Sequence, residues 1–324
     1  MRPIQRILVA VKEPGAIALP AVAKAARIAR ACGAHVELFH SIQASVWATT
    51  PDAYEAAVSD LYGTQRRHYL QRLQRIAARL RLHGIRVSTA VEFDYPVYDA
   101  IVRRARLIDA DLIVARRRNK RHVTPGLLRL TDWELLRNSP VPVLLVKRSG
   151  PYRHPTVLAA VDPCHAHAKP AQLDAEILSI GIQLTQALRG KLHAVHAYAP
   201  VVMGGAAHSV SANVASRLDS LAAARAKAEF DRLLETIDMP RSRRHLVGNL
   251  PASAINELAR RTHADIVVMG ALSRSGLKRL LIGNTAERLL DELPCDLLIV
   301  KPAQFTSRVP GECNGPRLLS TAAG

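Results

Sequence analysis

The chain has 324 residues, 48% of them hydrophobic and 22% charged, which suits two folded domains and excludes an intrinsically disordered chain. No run approaches the roughly 20 apolar residues of a membrane span. Formal charge is +18, with 25 Lys and Arg against 12 Asp and Glu in residues 1–149 and 20 against 15 in the remainder. That surplus favours anionic partners and says little about fold.

The N-terminal "RILVAVK" reads as a buried strand rather than a signal peptide. Cys32, Cys164, Cys295 and Cys313 are scattered without paired spacing, as expected for a reducing, cytoplasmic setting. After the first strand, "AHVELFH", "IRVSTAVE", "ADLIVA" and "VPVLLVK" read as further strands. Between them, "LPAVAKAARIARA", the stretch from Asp52 to Leu82 and "VYDAIVRRARL" carry the i, i+3, i+4 apolar spacing of helices. "TDWELL" places Trp133 on a helix, with Thr131 and Glu134 spaced as a capping box. "RSGPYRHP", Arg148 to Pro155, is a turn-rich linker.

The second half repeats the order with "TVLAAV", "KLHAVHAYA", "RRHLV", "ADIVVMG" and "CDLLIVK". "RILVAVK" answers to "TVLAAVD" at an offset of 150 residues, and "DADLIVARRR" to "HADIVVMGAL" at 154. "TDWELLRNSPVPVLLVK" answers to "TAERLLDELPCDLLIVK", again at 154. Collinear matches at nearly one offset indicate a duplication. Continuous apolar strands alternating with helices predict an α/β fold of two tandem, doubly wound, five-stranded parallel sheets. The expected division is 1–149, 150–305 and a disordered tail over 306–324. Both last strands are apolar runs on potential sheet edges, and pairing them would make the chain a pseudo-dimer.

Ligands of such sheets sit beyond the carboxyl ends of the strands where chain order reverses, here Asp162 and Gly270. From Gly270 runs "GALSRSGLKRLLIGNTAERLL", with Gly276 and Gly283 inside it. Gly283-Asn284-Thr285 opens a helical pattern, and a helix N-terminus preceded by glycines suits phosphate. Turn geometry and a capping-box-like "NTAE" explain the same residues without a ligand.

This loop resembles the nucleotide loop of the universal stress protein family, whose pattern is Gly, two residues, Gly, nine residues, Gly, then Ser or Thr. Gly270 and Gly283 match the first and last glycines, and Gly276 a common extra one. Ser273 stands where the second glycine is expected, and Asn284 where Ser or Thr is expected, with Thr285 one position later. Asp162, with Val161 beside it, matches the family's aspartate near the nucleoside. The tandem arrangement is similar to the E-type universal stress proteins of proteobacteria. The resemblance implies the universal stress protein fold, of the adenine nucleotide alpha hydrolase-like type, and a cytoplasmic stress-response binding protein.

It further implies ATP or a related adenine nucleotide, with Mg accompanying it, held in the second domain. The residues concerned are Val161, Asp162, Met269, Gly270, Ser273, Gly276, Gly283, Asn284 and Thr285. The alternative is a nucleotide-free module carrying an apolar or acidic ligand, or another protein, between its halves. Homodimerisation is compatible with either. No general base for water attack on phosphate is apparent, so binding with at most weak ATPase activity is expected.

In the first half the 154-residue offset puts Arg116, Asn119, His122 and Arg129 at the loop positions, and Lys12 replaces the aspartate. No nucleotide site of the family type is expected there. "RRRNKRH", Arg116 to His122, is either a solvated basic loop or a contact for an anionic partner. Aromatic residues total 4% and do not interleave with it, so sequence-specific nucleic-acid binding is not expected. "DPCHAHAKP" groups Cys164, His165 and His167 near Asp162, but the spacing matches no standard zinc pattern and reads better as a polar loop. His193, His196 and His263 read as packing residues in or beside strands.

Overall fold

The computed structural model describes residues 2–43, 55–117, 130–165, 172–200, 212–270, 288–289 and 291–312. The first repeat supplies β1 (Arg6–Ala10), β2 (His35–Ile42), β3 (Val87–Phe93), β4 (Leu112–Arg116) and β5 (Val143–Val146). Its helices are α1 (Pro20–Cys32), α2 (Glu55–Leu82), α3 (Val97–Leu107) and α4 (Leu130–Asn138). The second supplies β6 (Thr156–Val161), β7 (Lys191–Tyr198), β8 (Arg244–Gly248), β9 (Ile266–Gly270) and β10 (Asp296–Val300). Among its described residues are α5 (Leu173–Leu188), α6 (Ala212–Leu233) and α7 (Pro251–Arg261).

Successive strand residues point to opposite faces of a sheet. Ile7, Leu8 and Val9 are all fully buried, as are Leu112 to Val114, Val157 to Ala159 and Ile266 to Val268. Both faces of these sheets are therefore covered. Burying each such Val, Leu or Ile side chain contributes about 1.5–3 kcal/mol. This burial explains why the strands read as continuous apolar runs rather than as alternations.

The chain divides into two compact units, Ile4–Val143 with Thr306–Gly324, and Met1–Pro3 with Leu144–Phe305. In the first unit the strand order is β3-β2-β1-β4, and β1 pairs in parallel with both β2 and β4. In the second it is β5-β10-β9-β6-β7-β8, and β6 pairs in parallel with both β7 and β9. The compact units change over between Val143 and Leu144, six residues before the expected end of the first repeat at 149. β5 belongs to the first sequence repeat but lies beside β10, and all of it except Val143 falls within the second unit.

Aspartates at repeat-equivalent positions fix the strand starts. Asp111 accepts the backbone N–H groups of Gln5 and Arg6, each at 2.9 Å, and Asp265 accepts that of Thr156 at 3.0 Å. Asp109 and His263, 154 residues apart, both take left-handed backbone at φ +50° just after α3 and α7. Asp296 accepts the N–H groups of Lys147 and Arg148 and the hydroxyl of Tyr152, so the linker is pinned at a buried tyrosine.

Two local expectations change. Helix α4 includes Leu130 to Asn138, so Thr131 lies inside it rather than at its cap. The Glu134 carboxylate accepts from Arg137 at 2.7 Å and from the Asn138 amide at 2.9 Å, within its own helix. The tail expected to be disordered from residue 306 is held on α3 over its described part. Arg106 donates to the carbonyl of Val309 at 2.9 Å, and Val309 is buried.

Candidate functional site

Strand order reverses between β6 and β9. The chain leaves β6 for β7 on one side and reaches β9 on the other. Ala160 pairs with Met269 in parallel register, so the next residues, Val161 and Gly270, end the two strands side by side. This is the crevice where a doubly wound sheet takes its ligands. Asp162, Val161, Met269 and Gly270 are thus brought together. Ser273, Gly276, Gly283, Asn284 and Thr285 lie outside the described residues.

Val161 and Met269 are only 5% and 6% exposed, so their side chains belong to the core beneath the crevice. What they present at the strand ends is backbone, and the Val161 carbonyl already accepts from His196 Nδ1 at 3.3 Å. Asp162 is clamped from below, its backbone N–H donating to the buried Asp174 carboxylate at the start of α5 over 3.1 Å. Its own carboxylate is about one-third exposed and lies 3.9 Å from His196 Nδ1. A partly exposed carboxylate at this point suits hydroxyl or amino donors of a bound molecule.

Gly270 ends β9 with Leu173 of α5 directly against it. A Cβ added there would lie 2.6 Å from Leu173 Cδ2 and 3.1 Å from its Cγ. Leu173 is fully buried and has little room to yield. Packing therefore requires a glycine at position 270 whether or not a ligand approaches. The strand ends thus offer the Asp162 carboxylate and the Gly270 backbone to a bound molecule, with the Cβ direction of Gly270 filled by Leu173.

Residues 163–165 form a short 3-10 turn after Asp162, and α6 packs against it. The turn carries Cys164 to 3.4 Å from Nε2 of His196, which is 1% exposed on β7. His196 also lies near the Phe230 ring of α6, centroids 6.0 Å apart. The turn therefore aligns Cys164 with a residue 32 positions later, on the neighbouring strand. His167 lies outside the described residues. Among the described residues no group of three or more His, Cys, Asp or Glu is placed to hold a metal ion.

The equivalent place in the first unit, between β1 and β4, has different chemistry. Lys12 is exposed, Arg116 and Arg117 are half-buried, and Arg116 Nη1 is buried with no hydrogen-bond partner among the described residues. Residues 118–122 of the basic stretch lie outside the described residues. One feature is shared with the second unit: His40 Nδ1 donates to the Val11 carbonyl at 2.7 Å, as His196 does to Val161. The duplicated histidine is legible in "VELFH" and "HAVH", each ending at the last part of the second strand of its repeat.

His193 is not a solitary packing residue either. Its Nδ1 lies 3.0 Å from Nε2 of His245 on β8, and the rings stack with an interplanar angle of 2°. Burial first, then the neighbouring His245, Arg243 and Lys191, lowers the His193 pKa to about 4. The corresponding region of the first unit uses an ion cluster instead, in which Arg104 binds Glu37 at 2.6 Å and Glu92 at 2.8 Å.

No helix of the described residues is long and apolar enough to cross a membrane. The sequence profile described as the universal stress protein family matches residues 3–147 and 156–301. The chain is 29% identical over 208 residues to a universal stress protein E homolog of Haemophilus influenzae, covering 64% of this chain and 67% of that protein. It is 27% identical over 231 residues to universal stress protein E of Escherichia coli K12, covering 70% and 72%. Among solved structures, a functionally unknown protein of Pseudomonas aeruginosa PAO1 superposes with a TM-score of 0.69 at 25% identity over 93% of each chain. A universal stress protein of Archaeoglobus fulgidus shares the fold, with a TM-score of 0.60 at 15% identity over 91% of this chain and 98% of that one. With both repeats matched, the chain belongs to the universal stress protein family and carries two of its domains in tandem.

Proposed function

We propose that this universal stress protein acts by binding, not by turnover, and that its second domain holds ATP or a related adenine nucleotide. The observation that supports this is the juxtaposition of Asp162 and Gly270 at the carboxyl ends of adjacent parallel strands, where chain order reverses. Asp162 would accept hydrogen bonds from the nucleoside. The loop from Gly270 to Thr285 would receive the phosphates on backbone N–H groups, with Mg screening their charge. A binding role for the fold would be a change of conformation or of partner with nucleotide, in a stress response.

A second reading is favoured by the contact of Gly270 with Leu173, which accounts for that glycine without a ligand. On this reading the domain is a nucleotide-free carrier or protein-interaction module. Equilibrium binding of MgATP to the purified chain, beside Gly283→Val and Asp162→Ala, separates the two. Saturable binding that both variants abolish supports the nucleotide. Its absence at millimolar nucleotide, with all proteins folded by circular dichroism, supports the second reading.

A further inference from the structure

Cys164 is not an isolated thiol. Its sulfur lies 3.4 Å from Nε2 of His196. The Val161 carbonyl can only accept, so His196 Nδ1 carries a hydrogen and donates it over 3.3 Å. A neutral ring then has its lone pair on Nε2, and the Cys164 S–H donates to it. The Asp162 carboxylate, 3.9 Å from Nδ1, is placed to stabilise the ring once it gains a proton. These are the parts of an activated nucleophile: a thiol, a base in contact, and groups that orient the base. His40 shares the bond to a strand-end carbonyl but packs its ring 4.4 Å from Tyr69, so the histidine is duplicated and the thiol contact belongs to the second repeat.

We propose that Cys164 is a modification site for small uncharged electrophiles, with His196 as its general base. Access and charge select the class. Cys164 is only half-buried in its short turn, and the adjacent Asp162 carboxylate disfavours anions. In the step the S–H bond breaks, its proton passes to His196 Nε2, and the sulfur electron pair forms the new bond. With iodoacetamide the new bond is S–C and iodide leaves. With hydrogen peroxide the O–O bond breaks, an S–O bond forms, and the departing hydroxide takes the proton back from His196 as water, leaving a sulfenic acid. This site does not depend on nucleotide binding.

The groups facing the sulfur are Asp162 from its own turn, His196 from β7, and Arg225 and Glu229 from α6. Burial, then Asp162 and Glu229, raises the Cys164 pKa against the opposing Arg225, so the thiol rests protonated at neutral pH. An unassisted thiol of this kind reacts about tenfold more slowly for each pH unit below its pKa. Assistance by His196 instead gives a rate that levels across the neutral range.

The test is alkylation of the full-length protein by iodoacetamide from about pH 6 to about pH 9, followed at each cysteine by peptide mass spectrometry. Cys32, half-exposed and also raised by burial, serves as the internal reference. Cys164 is expected to react at least about tenfold faster than Cys32 near pH 7, with a level profile. His196→Phe should restore the steep profile and slow Cys164 by about tenfold or more, while His40→Phe leaves it unchanged. A Cys164 rate that climbs tenfold per pH unit in the unmodified protein overturns the proposal. So does a folded His196→Phe protein with an unchanged rate. The wild-type profile decides by itself if that variant does not fold.

Discussion

Leu173 occupies the space that a side chain at position 270 would need, with its Cδ2 only 2.6 Å from an ideal Cβ on Gly270. The first turn of α5 is thereby seated against the end of β9, at the floor of the candidate site. Gly270→Ala should destabilise the protein by about 1–3 kcal/mol, the usual cost of overpacking. Leu173→Ala opens a cavity and should cost about 2–5 kcal/mol alone. The double variant should be more stable than the sum of the two single losses predicts, because the cavity accepts the new methyl group. Urea unfolding of the four proteins measures the coupling. Strict additivity would mean that another neighbour, not Leu173, dictates the glycine.

Asp94 and Arg103 form a buried pair, with bonds of 2.8 and 2.6 Å and side chains only 2% and 8% exposed. The pair joins the end of β3 to α3, and Arg103 also reaches the Pro310 carbonyl at 3.4 Å. Removing one partner leaves the other charge buried, at a cost of about 3–5 kcal/mol. Asp94→Asn is expected to lose most of that, measured by urea unfolding. Replacing both by Asn and Met should recover a substantial part, since neither charge then remains.

Much of the architecture was legible because burial on both faces writes itself as unbroken apolar strands, as in Ile7 to Val9 and Val157 to Ala159. The parallel order followed from strand–helix alternation, and the crevice beside Asp162 and Gly270 from the reversal of that order. What escaped was side-chain geometry across strands. In the sequence Cys164 groups with its neighbours His165 and His167, whereas its contact is His196 on the next strand. The sequence leaves Gly270 open between ligand approach and turn geometry, because it does not show that Leu173, nearly a hundred residues earlier, packs upon it. The place of β5 beside β10, by contrast, follows the expected pairing of the two apolar last strands.

The segment after β10 offers a separate test. Arg106 donates to the carbonyls of Val309 and Ser307, and Val309 is 6% exposed. Ending the chain at Phe305 removes these contacts and uncovers part of α3. Burial of one valine is worth about 1.5–3 kcal/mol at most, so the shortened chain should fold but unfold at lower denaturant. Unchanged stability would mean that residues 306–312 rest on α3 without supporting it.

The stacked pair of His193 and His245 makes stability depend on pH in a definite direction. Folded His193 takes its proton only near pH 4, whereas the ordinary value is 6.5, and burial is the largest cause. Between those values the unfolded chain binds more protons than the folded one, so acidification favours unfolding. The contribution of this group is full above pH 6.5 and is lost progressively as the pH falls toward 4. His245, His35 and His40 are also lowered, first by burial, and act in the same sense. His193→Gln keeps a hydrogen-bonding side chain opposite His245 but cannot take up the proton. Urea midpoints at about pH 7.5 and about pH 5 should therefore differ less in this variant than in the parent chain. An equal drop in both proteins would show that His193 carries none of the acid sensitivity, and that the other histidines account for it.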